Sequence, residues 1–420
     1  MRKKVHQQIF QSLCLLLAFF LPVFPGILPA IILLMSANWL ISGDYLAAGT
    51  MFRNEKWRYR ILSLALLYLL YLAGMLYSKD FDYGWFDLEV KLSLLVFPLI
   101  FSLSRHDQFN KERLRKILIA FVAGCITGSI ILLVHTWIVN ARNGVADAFY
   151  YTNLTWYFHA SYLALYTTFA IAIILLLLVD SDINRGKVFN FFLITILIYL
   201  QGFIFLLSSK AGLLSLATIE VLFIILLIYK KFKYTVVSIS IFTMVLVFAG
   251  FAVLFPYAFG RISKADAMIS KVNSGQTNPE DGTVARMEIW KVSAEIIREH
   301  PLSGVGTGDV KDVLMQAYQD HQLYPILHKK LNSHNQYLQT FIAIGVFGFL
   351  ALVLLLVLPA VRAIRKGDYI YFIFLLTFGM NMLFESMLET QAGVIYFAFF
   401  NVLLFTNGVI PIKSADKILN

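Results

Sequence analysis

Apolar residues run through the chain in long blocks, separated by short polar stretches rich in lysine and arginine. The blocks cover residues 9–24, 26–42, 61–77, 88–103, 117–139, 158–179, 188–207, 213–229, 234–255, 338–360, 369–387 and 392–407. Each is close to the roughly 20 residues an α-helix needs to cross a hydrocarbon core. The pattern predicts an all-α polytopic membrane protein with about 12 transmembrane helices. Pro22, Pro25, Gly26 and Pro29 crowd the turn between the first two blocks. Residues 256–337 are the single sizeable polar stretch. Three parts follow: helices 1–9 in 1–255, an outward loop with short helices in 256–337, and helices 10–12 with a tail in 338–420.

Within the polar stretch, Thr283 is placed to cap a helix that runs to about Glu299 and is stopped by Pro301. Val284, Met287, Trp290, Ala294 and Ile297 recur at helical spacing and predict its buried face. Arg286 has Ile289 and Trp290 three and four residues on, which sets it at the border of that face.

Composition narrows the class. Of 420 residues, 59% are hydrophobic and only 14% charged, with a mean hydropathy of +0.73. Soluble domains carry about 25% charged residues, so a water-soluble enzyme is excluded. The net charge of +10 would suggest nucleic acid in a soluble protein. Here it reads as the basic cytoplasmic loops that orient a membrane bundle. With the N-terminus inside, 22 of the 35 Lys and Arg residues fall in cytoplasmic segments. The short outward loops hold only Lys79, Arg142 and Lys210. Both termini are therefore expected in the cytoplasm, and no nucleic-acid partner is expected. Arg2, Lys3 and Lys4 lead into an uncleaved first helix rather than a signal peptide. Cys14 and Cys125 both lie in apolar blocks, where neither a disulfide across an exported loop nor a metal site can rest on them.

Polar residues near the outward helix ends carry the candidate chemistry. His334 lies where the long loop enters the tenth helix, and Leu338, Phe341, Gly345 and Gly348 continue its face at 100° per residue. The two glycines would admit a neighbouring helix. A histidine held there can accept a proton near neutral pH, or merely cap the helix. Lys210, in a short turn, and Lys91, a turn inside the fourth helix, each read singly as snorkelling lysines. With Arg286 they would make a cationic pocket for a diphosphate. His159, beside Tyr157 and Tyr162, suits a sugar or phosphate. Glu385 and Glu389 close the eleventh helix, in capping or solvated positions rather than orienting a base or cation. His135, His300, His321 and His328 have no metal-ligand spacing, and no metal or cofactor is expected.

Gly304, Gly306 and Gly308 lack a following Gly-Lys-Ser/Thr, so a flexible turn is expected rather than a nucleotide loop. Its backbone amides would still be able to touch a phosphate. Together with Gly275 and Gly282 they would let the long segment open as a lid.

Three stretches resemble the O-antigen ligase and polymerase superfamily of bacterial glycan transferases. One runs from Arg286 to Trp290 and on through Glu299 to Gly308. The second runs from Ser333 to Leu338, with Gly345 eleven residues after the histidine, and the third is Ser208 to Gly212. The resemblance implies a metal-independent, GT-C-type fold in the bacterial inner membrane. It implies transfer of a glycan from undecaprenyl diphosphate to an acceptor hydroxyl at the periplasmic face, with lipid A-core first among acceptors. His334 would be the general base, and Arg286 and Lys210 would hold the diphosphate. Lys91, His159 and Asn335 would complete the substrate site. Two positions depart from the family pattern: Trp290 stands where leucine is frequent, and Lys210 where arginine is common. The rival readings are an O-antigen or capsule polymerase, a protein O-oligosaccharyltransferase and a polytopic glycan transporter.

Overall fold

The computed structural model describes residues 2–47, 55–103, 110–144, 148–180, 186–232, 234–254 and 282–406. The polar stretch before Gly282, with Gly275, lies outside the described residues, as does the tail from 407. The chain forms α1 (Arg2–Phe20), α2 (Leu28–Ser42), α3 (Glu55–Gly74), α4 (Phe81–Lys91), α5 (Ser93–Ser102) and α6 (Lys111–Thr136). There follow α7 (Ala160–Leu178), α8 (Lys187–Leu207), α9 (Lys210–Tyr229) and α10 (Tyr234–Leu254). The polar stretch supplies α11 (Gly282–Glu299) and α12 (Val310–Asp320); α13 (Gln336–Lys366), α14 (Tyr369–Asn381) and α15 (Gln391–Thr406) complete the bundle.

Every apolar block falls on helix. Among the described residues, six helical stretches are long and apolar enough to cross a membrane: Pro25–Ser42, Lys111–Asn140, Ala160–Leu178, Lys187–Leu207, Lys210–Tyr229 and Gln336–Lys366. Shorter apolar helices accompany them, at Ala65–Tyr77, Tyr234–Gly250, Tyr369–Asn381 and Gln391–Phe405. The fourth block is not one rod. It divides into α4 and α5, and α4 begins seven residues before the apolar run does.

The centre of the bundle is α7, which is apolar all round and buried along nearly its whole length. Around it Phe121, Phe169, Phe374, Tyr396 and Phe400 interlock, mostly edge to face. Such ring pairs add about 0.5–1.5 kcal/mol each beyond burial. The outer helices expose Phe191, Phe192, Phe242 and Leu358, an apolar surface that suits lipid. At one end, Arg115 of α6 forks onto Asp180, just past α7, through two 2.9 Å bonds.

The tenth apolar block contains a break. In α13, Ile344 (φ −134°, ψ 23°) and Gly345 (φ 64°, ψ −161°) leave helical geometry, and the second conformation is open essentially to glycine alone. The carbonyls of Ile342 and Ala343 are thereby released and accept Val305 N at 2.8 Å and Gly306 N at 3.0 Å. Val346 N donates to Pro301 O at 3.0 Å. The residues after α11 are thus sewn into the broken helix.

This overturns four expectations. The Gly304–Gly308 strip is not a flexible turn, because side chains at Gly304, Gly306 or Gly308 would strike Ile342, Ser78 and Asp80. Its amides are not available to a phosphate: those of Val305 and Gly306 bind α13, and that of Gly308 binds Ser78 Oγ at 2.9 Å. Nor do His334 and Gly345 share a helical face, since His334 precedes the helix and Gly345 makes room for the Leu302 backbone rather than a helix. The strip is therefore no part of a mobile lid.

In α11 the buried stripe is Ala285, Ile289, Val292 and Ile296, with Val284. That is rotated by about one position from the predicted face. Met287, Trp290, Ala294 and Ile297 lie half-buried at its edge. Thr283 is the helix's second residue rather than its cap.

Candidate functional site

The turn from Asn332 to Gln336 is fixed almost entirely by side chains. Ser333 is fully buried; its amide and hydroxyl both bind Gln339 Oε1, at 3.1 and 2.7 Å, and its carbonyl accepts Trp290 Nε1 at 3.1 Å. Asn332 Oδ1 accepts the His334 amide at 3.0 Å. Asn335 caps α13, taking the amides of Tyr337 and Leu338. Between them His334 sits at φ 44°. A left-handed non-glycine residue costs of order 1–3 kcal/mol and persists only where its surroundings over-determine it.

The strained histidine meets Glu385. His334 Nδ1 lies 3.0 Å from Glu385 Oε2. Glu385 Oε1 takes Arg286 Nη2 at 2.6 Å and the Ser161 hydroxyl at 3.1 Å. Burial works against the charge on Glu385, but the His334 hydrogen bond and the Arg286 cation outweigh it and hold the carboxyl at about 2. It is therefore an ionised acceptor. Nδ1 of His334 must carry the proton between them, which leaves Nε2 as the open lone pair of the neutral ring.

His159 completes this group. It caps α7, its Nδ1 accepting Ser161 N at 3.4 Å. Burial lowers its pKa below the ordinary histidine value, against the pull of Glu385 and with the push of His334 and Arg286. Lys210, at the start of α9, donates to Thr283 Oγ1 at 2.9 Å, one turn before Arg286 on α11. Arg286 Nε is buried with no hydrogen-bond partner among the described residues, so the guanidinium has a donor still to satisfy. The starts of α7, α9 and α13 and the connection after α14 thus come to one end of the bundle.

Lys91 stands apart from this group. It is fully buried, paired with Asp87 one turn earlier and with Glu389 at 3.1 Å, and its ammonium sits 4.6 Å over the Tyr71 ring. It neither snorkels nor joins Arg286 and Lys210. Asn335 likewise spends its side-chain oxygen on helix capping. Glu385, read from sequence as a solvated or capping residue, is instead the hub. It does not close a helix, because α14 ends at Asn381, where the Asn381 side chain bonds Thr377 O at 2.8 Å. Its position beside a second carboxylate at the end of an apolar run was the one signal available. Among the described residues, no group of three or more His, Cys, Asp or Glu is placed to hold a metal ion.

Among the described residues, a bundle of apolar, membrane-length helices thus gathers a histidine–carboxylate pair, an arginine and a lysine at one end. Residues 192–353 match the family model described as O-antigen ligase, in keeping with the resemblance to the O-antigen ligase and polymerase superfamily. The matched segment contains Lys210, Arg286 and His334 and stops before Glu385. A stretch of 148 residues is 27% identical to an uncharacterised protein of Haemophilus influenzae. It covers 34% of this chain and 36% of that protein, so the chain spans only about a third of its relative's length.

Proposed function

We propose that the protein transfers a glycan from undecaprenyl diphosphate to an acceptor hydroxyl at the periplasmic face of the inner membrane, with lipid A-core as the principal acceptor. The reading rests above all on the His334–Glu385–Arg286 arrangement, with one carboxylate oxygen on the histidine at 3.0 Å and the other on the arginine at 2.6 Å.

Glu385 orients His334 so that Nε2 faces the acceptor. The acceptor oxygen attacks the anomeric carbon of the donor sugar as its proton passes to Nε2. The bond from that carbon to the diphosphate oxygen breaks, and the diphosphate leaves with the electron pair. A single displacement of this kind inverts the anomeric centre. Arg286, through its unpartnered Nε, and Lys210 stabilise the charge that develops on the leaving group. His159 keeps Nδ1 on Ser161 N, so its neutral ring offers Nε2–H to a sugar or phosphate oxygen. These roles need no metal. The 22 basic residues of the opposite loops support a cytoplasmic position for both termini and a periplasmic one for the site.

A donor–acceptor assay in proteoliposomes tests the reading, offering lipid A-core, a carrier-linked repeat unit and a serine-containing peptide in turn. Transfer to lipid A-core that is lost in His334→Ala is the expected outcome. Undiminished delivery of glycan by His334→Ala would sink the catalytic reading and leave a transporter. Transfer to the repeat unit alone would make the protein a polymerase.

A further inference from the structure

Lys91 has the charge of a diphosphate ligand and none of the access. Its ammonium is enclosed by Asp87, Glu389 and the face of Tyr71. Those partners lead directly to the two halves of the site. Glu389 Oε1 also accepts Gln336 Nε2 at 3.1 Å, and the same nitrogen lies 3.1 Å from Thr340 Oγ1. Gln336 Oε1 takes the Leu388 amide at 2.6 Å, and its backbone amide donates to Met382 O at 2.8 Å. Tyr71 closes the ring through Thr340 Oγ1 at 2.9 Å. Gln336 and Thr340 are fully buried.

The chain geometry gives this network its reach. Gln336 follows His334 by two residues, across the Asn335 cap. Glu389 follows Glu385 by four, at the far end of the same connection. One buried ammonium therefore holds the backbone of the base and the backbone of its partner to the same point. Without it, Asp87 and Glu389 would face each other as like charges in a site sealed from water, and they would separate or take up a proton.

We propose that Lys91 is a positioning residue for the transfer reaction, acting through Glu389 and Gln336 on the His334–Glu385 pair, and is not a ligand of the diphosphate. The proposal rests on the transfer reading above. A displacement of about 1 Å in catalytic groups costs up to about 10²-fold in rate. Lys91→Met should accordingly lower kcat by roughly 30- to 100-fold while the donor KM stays within about threefold. Lys91→Met with Asp87→Asn, which removes the repulsion, should recover about tenfold of that loss. Glu389→Ala keeps the Lys91–Asp87 pair and cuts only the tie to the connection. It should lower kcat by a similar factor and speed hydrogen exchange across residues 382–390.

A donor KM raised tenfold or more at unchanged kcat in Lys91→Met would overturn the proposal, because that is the signature of a lost diphosphate ligand. So would a wild-type kcat in Glu389→Ala, and this variant decides the matter alone if Lys91→Met does not fold. The exchange measurement needs no substrate. Faster exchange together with full activity of His334→Ala would therefore fail the transfer reading and leave the strut intact.

Discussion

Glu385 and Glu389 stand four residues apart on one connection, and each neutralises a cation, yet they do opposite work. Glu389 faces a lysine with no exposed surface, and Gln336, Thr340 and Tyr71 complete its shell. Glu385 faces Arg286 and His334, whose side chains are 26% and 21% exposed, and Arg286 keeps a buried Nε without a partner. One cluster is closed and satisfied; the other is open and one donor short. A satisfied buried cluster makes a rigid scaffold. An open one with directed lone pairs and unspent donors is what a reacting group requires. The difference lies in what surrounds each carboxylate, not in the carboxylates themselves.

Substitutions on the open side should cost activity more than stability. His334→Ala removes the base and should lower transfer by about 10²–10⁴-fold. Glu385→Gln keeps the shape but loses the charge that orients the ring, and a fall of at least about 10²-fold is expected. For His334→Ala the thermal midpoint should stay near wild type, whereas Glu385→Gln, which also gives up the ionised carboxylate, should lower it modestly at neutral pH. On the closed side the balance reverses: Lys91→Met breaks a buried pair and should destabilise by about 3–5 kcal/mol, read as a clear fall in the midpoint. Equal destabilisation by His334→Ala and Lys91→Met would erase the distinction.

Gly345→Val tests the frame that carries both clusters. It forces a branched side chain into a left-handed conformation and against the Leu302 backbone. A loss of about 1–3 kcal/mol from backbone strain alone is expected, with faster exchange at the Val305 and Gly306 amides. Wild-type stability would mean that the helix break is not a fixed element.

That frame shows where sequence reading stopped. The apolar blocks located the helices because a membrane helix announces itself by length and composition. His334 was visible because a histidine at the mouth of a long helix is unusual. The glycine strip was misread, since glycine is as much the residue of close backbone contact as of flexibility, and only the partner decides. In α11 the face was rotated because Met287, Trp290, Ala294 and Ile297 repeat as regularly as Ala285, Ile289, Val292 and Ile296. Lys91 was read as a snorkelling lysine and Glu385 as a capping or solvated residue, and both are buried. Glu389 lies 298 residues from Lys91, and Ser161, Arg286 and His334 lie 224, 99 and 51 residues from Glu385, so burial is not written in the residues nearby.

Acid should separate wild-type Glu385 and His159 from their variants. The Glu385 carboxyl is held at about 2, below the ordinary carboxylate value. The unfolded chain therefore binds the proton first, and Glu385 contributes stability that is complete above about pH 4.5 and is lost as pH falls towards 2. The stability of Glu385→Gln should fall less steeply across that window. His159, lowered by burial, adds a term of the same sign that is complete above about pH 6.5. A thermal-midpoint series from pH 7 to pH 3 on wild type, Glu385→Gln and His159→Gln resolves the two windows. Parallel curves for all three would refute both assignments.

The smallest expected effect concerns the departure from the family pattern at Trp290. Leucine, which the family resemblance would lead one to expect there, would fill much of the same half-buried space. What leucine lacks is the indole N–H, which bonds Ser333 O at 3.1 Å and so ties α11 to the turn that holds His334. Ser333 O has no helix to pair with, because α13 begins only at Gln336. A neutral hydrogen bond of this kind is worth about 0.5–1.5 kcal/mol, or roughly two- to tenfold in a rate that depends on it. Trp290→Leu should therefore lower kcat by no more than about tenfold and leave both KM values unchanged. Trp290→Phe, which restores the ring without the donor, should behave alike. Full recovery by phenylalanine would assign the role of Trp290 to packing, and the open cluster would then owe its geometry to Asn332, Gln339 and Glu385 alone.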